Sequence, residues 1–264
     1  MHAVILAGGK GTRLRPYTTC VPKPLVPIGD KYAILEIVLH QLSHHGFQSV
    51  TLAIGHMGQL IRAFVGDGSR WNLQAEYLQE TSPLGTIGPL LGALGQLPEH
   101  FLVMNGDVLT DINYAKLLRQ HAASSAPVTV ATYAREVRSE FGVLEIQDGE
   151  IMAFREKPVF DFSVSMGIYG FSRSTLSRYP AGQPFGFDDL VLDLLARNQH
   201  PASFPFSGYW LDIGRPDDYD RANAEFESRM ADLLPGLGSN LVNDSAPMIQ
   251  PSVMPRAATT GAAH

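Results

Sequence analysis

Short apolar runs that alternate with amphipathic stretches constrain the fold of this 264-residue chain more than any other feature. AVILA (3–7) gives way to AILEIVLHQLSHHG (33–46), where Ile34, Val38 and Leu42 recur at helical spacing, and then to SVTLAIG (49–55) and MGQLIRAFVGDG (57–68). The rhythm continues through QAEYLQE (74–80), a glycine-rich helical segment TIGPLLGALGQL (86–97), FLVMNGD (101–107), a helix from Asn113 to Ala123 and the β-rich run VTVATYA (128–134). Strand and helix in alternation predict an α/β protein, built on a mostly parallel sheet with helices on both faces. After residue 140 the pattern changes to short strands, with Asp148-Gly149 marking a hairpin turn, so a smaller mixed or antiparallel part is expected beside the first sheet. Helices over 187–199 and from Pro216 to about Asp232 bracket YWLDIGRP. Residues 235–264 collapse into Gly, Ser, Pro, Ala and Thr and read as a flexible tail. Within that tail LVNDSA and MIQPSV faintly resemble rungs of a left-handed β-helix, but a solenoid needs at least about three stacked repeats.

Ligands of open parallel sheets lie beyond the carboxyl ends of the strands. Two features fall there: LAGGKGTRLRP (6–16) directly after the first apolar run, and Asp107 after FLVM. The loop is neither familiar phosphate cradle. Counting from Gly9 and Gly11, the third glycine of a dinucleotide fingerprint is replaced by Leu14, and Lys10 is followed by Gly11 rather than Ser or Thr. Amides at Gly8, Gly9 and Gly11, with no side chains over them, would still make an anion nest. Arg13 lies in the same loop, and Lys23 sits between two prolines that stiffen its backbone. A ligand-free turn with two ordinary surface cations is the competing reading. Asp107 equally reads as a helix cap, whereas paired with Asp212 of WLDIG it could share a hard cation such as Mg²⁺.

Charge and composition narrow the classes. A net charge of −6 argues against a sequence-independent nucleic-acid binder, which needs a basic face. One cysteine excludes an internal disulfide framework and favours a reducing compartment. No run approaches the ~20 apolar residues of a membrane span, and no leader stands at the N-terminus, so a cytoplasmic protein without membrane contact is expected. The nine histidines show no metal-protease spacing. His44 and His45 are expected at an exposed helix end, and Tyr209 and Trp210 in the core or a site wall.

LAGGKGTRLRP, PKPLVP, EYLQETSPLGTIGPL, LVMNGD, FGVLE, FREKP, MGIY and YWLDIGRPDDY occur in an order that resembles the sugar-1-phosphate nucleotidyltransferases, or NDP-sugar pyrophosphorylases, over roughly residues 1–230. The resemblance implies a Rossmann-like nucleotidyltransferase domain over 1–234. Its parts would be a nucleotide-binding core (about 1–135), a sugar-binding part (about 136–215) and a C-terminal helix (about 216–232). It implies Mg²⁺-dependent transfer of a nucleotidyl group from an NTP to a sugar 1-phosphate, with loss of pyrophosphate. It assigns Leu6, Gly8, Gly9, Gly11, Thr12, Glu80, Pro83, Gly85 and Thr86 to the nucleotide, Arg13 to the departing pyrophosphate and Lys23 to the α-phosphate. Asp107 and Asp212 are assigned to the metal. Gly142, Glu156, Lys157, Ser165 and Gly167 are assigned to the sugar phosphate, with Glu156 accepting from sugar hydroxyls and Lys157 neutralising the phosphate. Without the resemblance, Glu156 and Lys157 would read as a surface charge pair.

ETSPLGTIGPL is most similar to the GDP-mannose and GDP-heptose enzymes. Guanine offers N1–H and N2–H₂ on one edge, two donors that the Glu80 carboxylate can accept together, whereas uracil and thymine flank one donor with carbonyls. GTP is therefore favoured, with a uridylyl or thymidylyl enzyme as the alternative and backbone near Gly85 as the other reader of the base. Ser165-Met166 and Phe141 stand where the family often has an amide and a phenol, which removes hydrogen-bond reach and favours a manno-configured hexose or heptose. A non-catalytic NDP-sugar sensor is the rival reading, disfavoured because a sensor need not keep both metal carboxylates. A guanylyltransferase acting on a cofactor phosphate is the second, which FREKP and YWLDIG argue against. A homo-oligomer is compatible with the sequence.

Overall fold

The computed structural model describes residues 1–80 and 82–237; most of the expected tail, with LVNDSA and MIQPSV, lies outside the described residues. In chain order the elements are β1 (His2–Ala7), β2 (Pro27–Ile28), β3 (Tyr32–Ala33), α1 (Ile34–His44), β4 (Ser49–Ile54), α2 (Gly58–Val65) and β5 (Gln74–Gln79). Next come α3 (Gly88–Leu91), β6 (His100–Asn105), β7 (Val108–Thr110), α4 (Tyr114–Ala122), β8 (Val128–Arg138), β9 (Val143–Gln147) and β10 (Glu150–Arg155). The chain continues with β11 (Val159–Ser172), α5 (Arg173–Leu176), α6 (Phe187–Ala196), β12 (Ala202–Phe206), β13 (Trp210–Asp212) and α7 (Pro216–Leu233).

Seven strands form one sheet in the order β12-β8-β11-β6-β1-β4-β5. β1 pairs in parallel with β4 and β6, β4 with β5, and β12 with β8; β11 alone runs against its neighbours. The antiparallel part is thus continuous with the parallel core. Side chains of period two feed both faces: Ala3, Ile5, Leu102 and Met104 pack with Leu35 and Leu39 of α1, while Val4, Phe101 and Val103 pack with Leu90 and Leu190 on the other side. A further apolar cluster joins α7 to β2 and the start of α1 through Phe226, Ile28 and Ile34.

Local chemistry explains the boundaries. Asn113 caps α4 by accepting a hydrogen bond from the Lys116 amide at 2.8 Å. Asp148 and Gly149 both have positive φ, 52° and 88°, as a two-residue hairpin turn of the I′ kind requires. The helical stretch expected over 86–97 is broken: α3 spans one turn and a 3₁₀ turn follows at Leu94–Gln96, because Gly92 and Gly95 weaken the helix. β12 was hidden in PASFPF, whose prolines obscure the alternation; an edge strand tolerates them. Among the described residues no helix is long and apolar enough to cross a membrane.

β8 and β11 extend past the carboxyl end of β6, whose register with β11 stops at Ile168–Met104. They rise from the sheet edge as a two-stranded ribbon, β9 and β10 forming its tip. Where β11 leaves the sheet its register breaks between Ser165 and Tyr169. There Gly167 has φ +73°, and a Cβ on it would meet Asn105 Nδ2 at 2.5 Å. The bulge needs glycine both for its backbone and for the close approach of Asn105.

Candidate active site

A cleft of about 800 Å³ opens at the carboxyl ends of β1, β4, β5 and β6. Leu6, Gly8, Gly9, Gly11, Thr12 and Arg13 line it, as do Lys23, Glu80, Pro83, Gly85, Thr86 and Asp107. The nucleotide-side residues read from the sequence are therefore in one place.

The loop after β1 turns back on itself through Gly11, whose φ is +60° and whose missing Cβ leaves room for Lys23 Cβ and Thr18 Cγ2 at 3.1 Å. Thr18 Oγ1 donates to the Gly11 carbonyl at 2.8 Å and fixes that turn. Lys23 stands on a 3₁₀ turn started by Pro22 and is only 8% exposed, so it is no ordinary surface lysine. Its Nζ donates to Asp107 Oδ2 at 2.5 Å.

The two acidic residues meet through a ladder that sequence alone conceals. β7 and β13 pair antiparallel with Asp212 opposite Val108, and the Ile213 amide donates to the Asp107 carbonyl at 3.2 Å. Asp212 is consequently next to Asp107. Burial and then the Asp107 charge raise the Asp212 pKa above the ordinary aspartate value, while Lys23 and Arg13 oppose the rise. Asp107 Oδ1 is buried without a hydrogen-bond partner. Two adjacent carboxylates, one with an unsatisfied oxygen, fit a hard divalent cation that takes its remaining oxygens from a phosphate ligand. Among the described residues no group of three or more His, Cys, Asp or Glu side chains is placed to hold a metal, so a caged all-protein site is absent there.

At the other wall, Gly8, Gly55 and Glu80 continue the registers of β1, β4 and β5 by one residue. The Glu80 carboxylate crosses the gap that the two glycines leave: a Cβ on Gly8 would lie 2.5 Å from Glu80 Oε1, and one on Gly55 would lie 2.8 Å from the Gly8 carbonyl. Burial raises the Glu80 pKa, with the Leu84 amide pulling the other way.

The sugar-side residues are distributed differently. Ser165 Oγ lies 3.2 Å from the Tyr169 hydroxyl and 3.3 Å from the Gly167 amide, in the bulge that abuts Asn105 of the cleft wall. Gly142 and Glu156 adjoin each other where the ribbon narrows between β10 and β11: a Cβ on Gly142 would meet the Phe154 ring at 2.5 Å and Glu156 Oε2 at 3.3 Å. Lys157 follows with φ +41°, a left-handed conformation that costs about 1–3 kcal/mol for a residue with a side chain. None of Gly142, Glu156, Lys157, Ser165 and Gly167 lines the cleft itself. Trp210 donates from Nε1 to the Met166 carbonyl at 3.2 Å and Tyr209 is buried, so both are wall and core residues. His44 is exposed; His45 is partly buried against Tyr114.

Gly55, His56, Asn105 and Gly106 also line the cleft; Asn105 and Gly106 belong to the LVMNGD motif that carries Asp107, whereas no motif contains Gly55 or His56.

A family model described as Nucleotidyl transferase matches residues 2–229. A mannose-1-phosphate guanylyltransferase of Mycobacterium tuberculosis is 33% identical over 257 residues, covering 93% of this chain and 71% of the relative. A UTP–glucose-1-phosphate uridylyltransferase of Synechocystis is 32% identical over 246 residues, covering 84% of this chain and 62% of the relative. The crystal structure of HddC from Yersinia pseudotuberculosis complexed with GMP-PN superposes with a TM-score of 0.66 at 27% identity, covering 85% of this chain and 99% of that one.

Proposed function

The chain belongs to the nucleotidyl transferase family, and from that premise we propose that it transfers a guanylyl group from GTP to a manno-configured hexose or heptose 1-phosphate, forming a GDP-sugar. One observation carries the reading: the glycine loop, buried Lys23, Arg13 and Asp107 line one cleft, with Asp212 beside Asp107 just outside that lining and Glu80 at the far wall. The nucleotide is met by the core over about 1–135 and the sugar phosphate by the part over about 136–215.

In the reaction a phosphate oxygen of the sugar phosphate attacks the α-phosphorus of GTP. The bond from that phosphorus to the β-bridging oxygen breaks, and its electron pair leaves on pyrophosphate. The nucleophile is already an anion, so no side chain need deprotonate it; the obstacle is repulsion. Two unit charges ~4 Å apart repel by about 4 kcal/mol at an effective dielectric of ~20. Lys23 offsets this at the α-phosphate, Arg13 at the departing pyrophosphate, and Lys157 at the incoming phosphate when the ribbon base approaches the cleft. The amides of Gly8, Gly9 and Gly11 hold the triphosphate in line, which removes much of the entropic barrier. Asp107 and Asp212 would hold a Mg²⁺ ion, which when bound would draw charge from the phosphoryl oxygens. Glu80 accepts the guanine N1–H and N2–H together.

The test is a matrix of GTP, UTP, dTTP and ATP against mannose, glucose and heptose 1-phosphates, read by pyrophosphate release. The expected result is turnover highest with GTP and a manno-configured acceptor. Preference for UTP would overturn the guanylyl assignment, and NDP-sugar binding without turnover would make the chain a sensor.

A further inference from the structure

The loop that carries Pro83, Gly85 and Thr86 into the cleft is gripped from behind by a segment far along the chain, just before and at the start of α6. The Phe185 amide donates to the Leu84 carbonyl at 2.9 Å, and the Phe185 carbonyl accepts from the Ile87 and Gly88 amides, each at 3.0 Å. A Cβ on Gly85 would lie 2.8 Å from the Phe185 carbonyl, and one on Gly88 would lie 2.9 Å from that of Gln183, so the two backbones touch. Thr86 Oγ1 completes the grip by accepting from the Phe187 amide at 2.7 Å, which satisfies an orphan donor in the first turn of α6.

Phe187 is held in turn from the sugar side. Its ring stacks on that of Tyr169, with centroids 4.2 Å apart and planes inclined by 29°. Tyr169, only 6% exposed, is where β11 regains its register with β8 after the break. Its hydroxyl accepts from Ser165 Oγ at 3.2 Å, and Ser165 Oγ accepts from the Gly167 amide at 3.3 Å. Gly167 is the residue that abuts Asn105 of the cleft wall. One aromatic pair therefore stands between the loop assigned to the nucleotide and the bulge assigned to the sugar phosphate. Two rigid rings in contact hold a spacing that flexible aliphatic side chains would let drift.

We propose that Tyr169 and Phe187 are positioning residues that act as one strut, setting the 83–86 loop and the Ser165–Gly167 bulge at the separation that in-line transfer requires. The inference rests on the transferase function proposed above. Neither ring lines the cleft, so both act through the residues they support. In-line attack tolerates little misplacement: a shift of about 1 Å far from the chemistry can cost about 10²-fold. Tyr169→Phe keeps the ring and removes the hydroxyl that Ser165 uses, whereas Phe187→Leu keeps apolar bulk and removes the stack. The two substitutions cut the strut at different ends.

Steady-state kinetics of the full chain test this, with whichever NTP and sugar 1-phosphate the wild type turns over fastest. Tyr169→Phe is expected to raise the KM for the sugar 1-phosphate by about 3- to 10-fold, the loss of one neutral hydrogen bond, and to leave the KM for the NTP unchanged. Phe187→Leu is expected to raise both, and Phe187→Tyr, which restores the ring, to return both to the wild-type values. In the double variant Tyr169→Phe/Phe187→Leu the NTP value should rise as with Phe187→Leu alone, while the sugar-phosphate value rises no further than in the single variants, the non-additivity of residues that work as a unit. Should Phe187→Leu fail to fold, Phe187→Met takes its place, and Tyr169→Phe, the loss of a single hydroxyl, stands as a test by itself. Effects on the sugar-phosphate KM that multiply in the double variant, or a Tyr169→Phe change that falls equally on both substrates or on neither, would overturn the strut alone. Absence of turnover with every NTP and sugar 1-phosphate would overturn the transferase function beneath it.

Discussion

Gly8→Ala links the phosphate loop to the reading of the base. The added Cβ would lie 2.5 Å from Glu80 Oε1, where ordinary contact begins at 3.4 Å, so the carboxylate must withdraw by about 0.9 Å. Glu80 can do so because its side chain is flexible, and Gly8 lies outside the positive-φ glycines, so the backbone accepts alanine. The cost falls on recognition. Each hydrogen bond to a charged group is worth about 1.5–3 kcal/mol, and a shift of this size would break one or both of the bonds that the proposed function gives Glu80 to guanine. The kcat/KM for GTP should fall by about 10- to 100-fold or more relative to that for UTP, which makes no paired donation to the carboxylate. The ratio is the readout, because disturbance of the triphosphate cradle lowers both nucleotides alike. Gly9→Ala places its Cβ in open space and is expected to leave the ratio unchanged, whereas Glu80→Gln should lower it as Gly8→Ala does. Equal losses with GTP and UTP in Gly8→Ala would show that Glu80 does not read the base.

Asp107→Ala and Asp212→Ala are each expected to lower kcat about 10²-fold or more, and EDTA to abolish turnover until Mg²⁺ is restored; near-normal rates in either variant remove that carboxylate from the metal site. Stability should depend on two buried histidines. His2, between Ser49 and Thr51, and His121, between Thr129 and Ser172, are held neutral, their pKa values lowered by burial from 6.5 to about 4. The unfolded chain binds their protons below pH 6.5 and the folded one does not, so stability is complete above 6.5 and falls as pH drops toward 4. Each histidine costs up to about 2 kcal/mol at pH 5, together about 4 kcal/mol. Urea unfolding at pH 7 and pH 5 checks this, and an unchanged midpoint contradicts it.

What the sequence makes legible here is what is local. β1, β4 and β6 are apolar on both faces because helices cover both, so continuous runs announce them; Asp148-Gly149 and Asn113 signal their turn and cap within a few residues. Arg13 and Lys23 stand out because glycines and prolines surround them. Contacts set by register are another matter. Nothing near Asp212 says that it faces Val108, and so meets Asp107, until the β7–β13 ladder is drawn. The ribbon is misleading for a related reason. LEIQ alternates and IMAF is apolar throughout, as core strands are, yet Leu144, Ile146, Ile151, Met152 and Phe154 are exposed, because an apolar pattern specifies a face and not what covers it.

Gly55 is the instructive omission, because its signal was present. AVILA ends in Gly8, SVTLAI in Gly55 and FLVMN in Gly106, and β6, β1 and β4 are neighbours in the sheet. Three adjacent parallel strands therefore each release a glycine at their carboxyl edge. A Cβ on Gly55 would meet the Gly8 carbonyl at 2.8 Å, and one on Gly106 the Leu6 carbonyl at 3.1 Å. A single glycine after a strand is weak evidence of anything. Three in a row along one edge mean that backbone must approach backbone there, and that the space above is kept clear for a ligand rather than filled by side chains. Aligning apolar runs by their last residue, instead of reading each alone, finds the floor of the cleft before any coordinate is known.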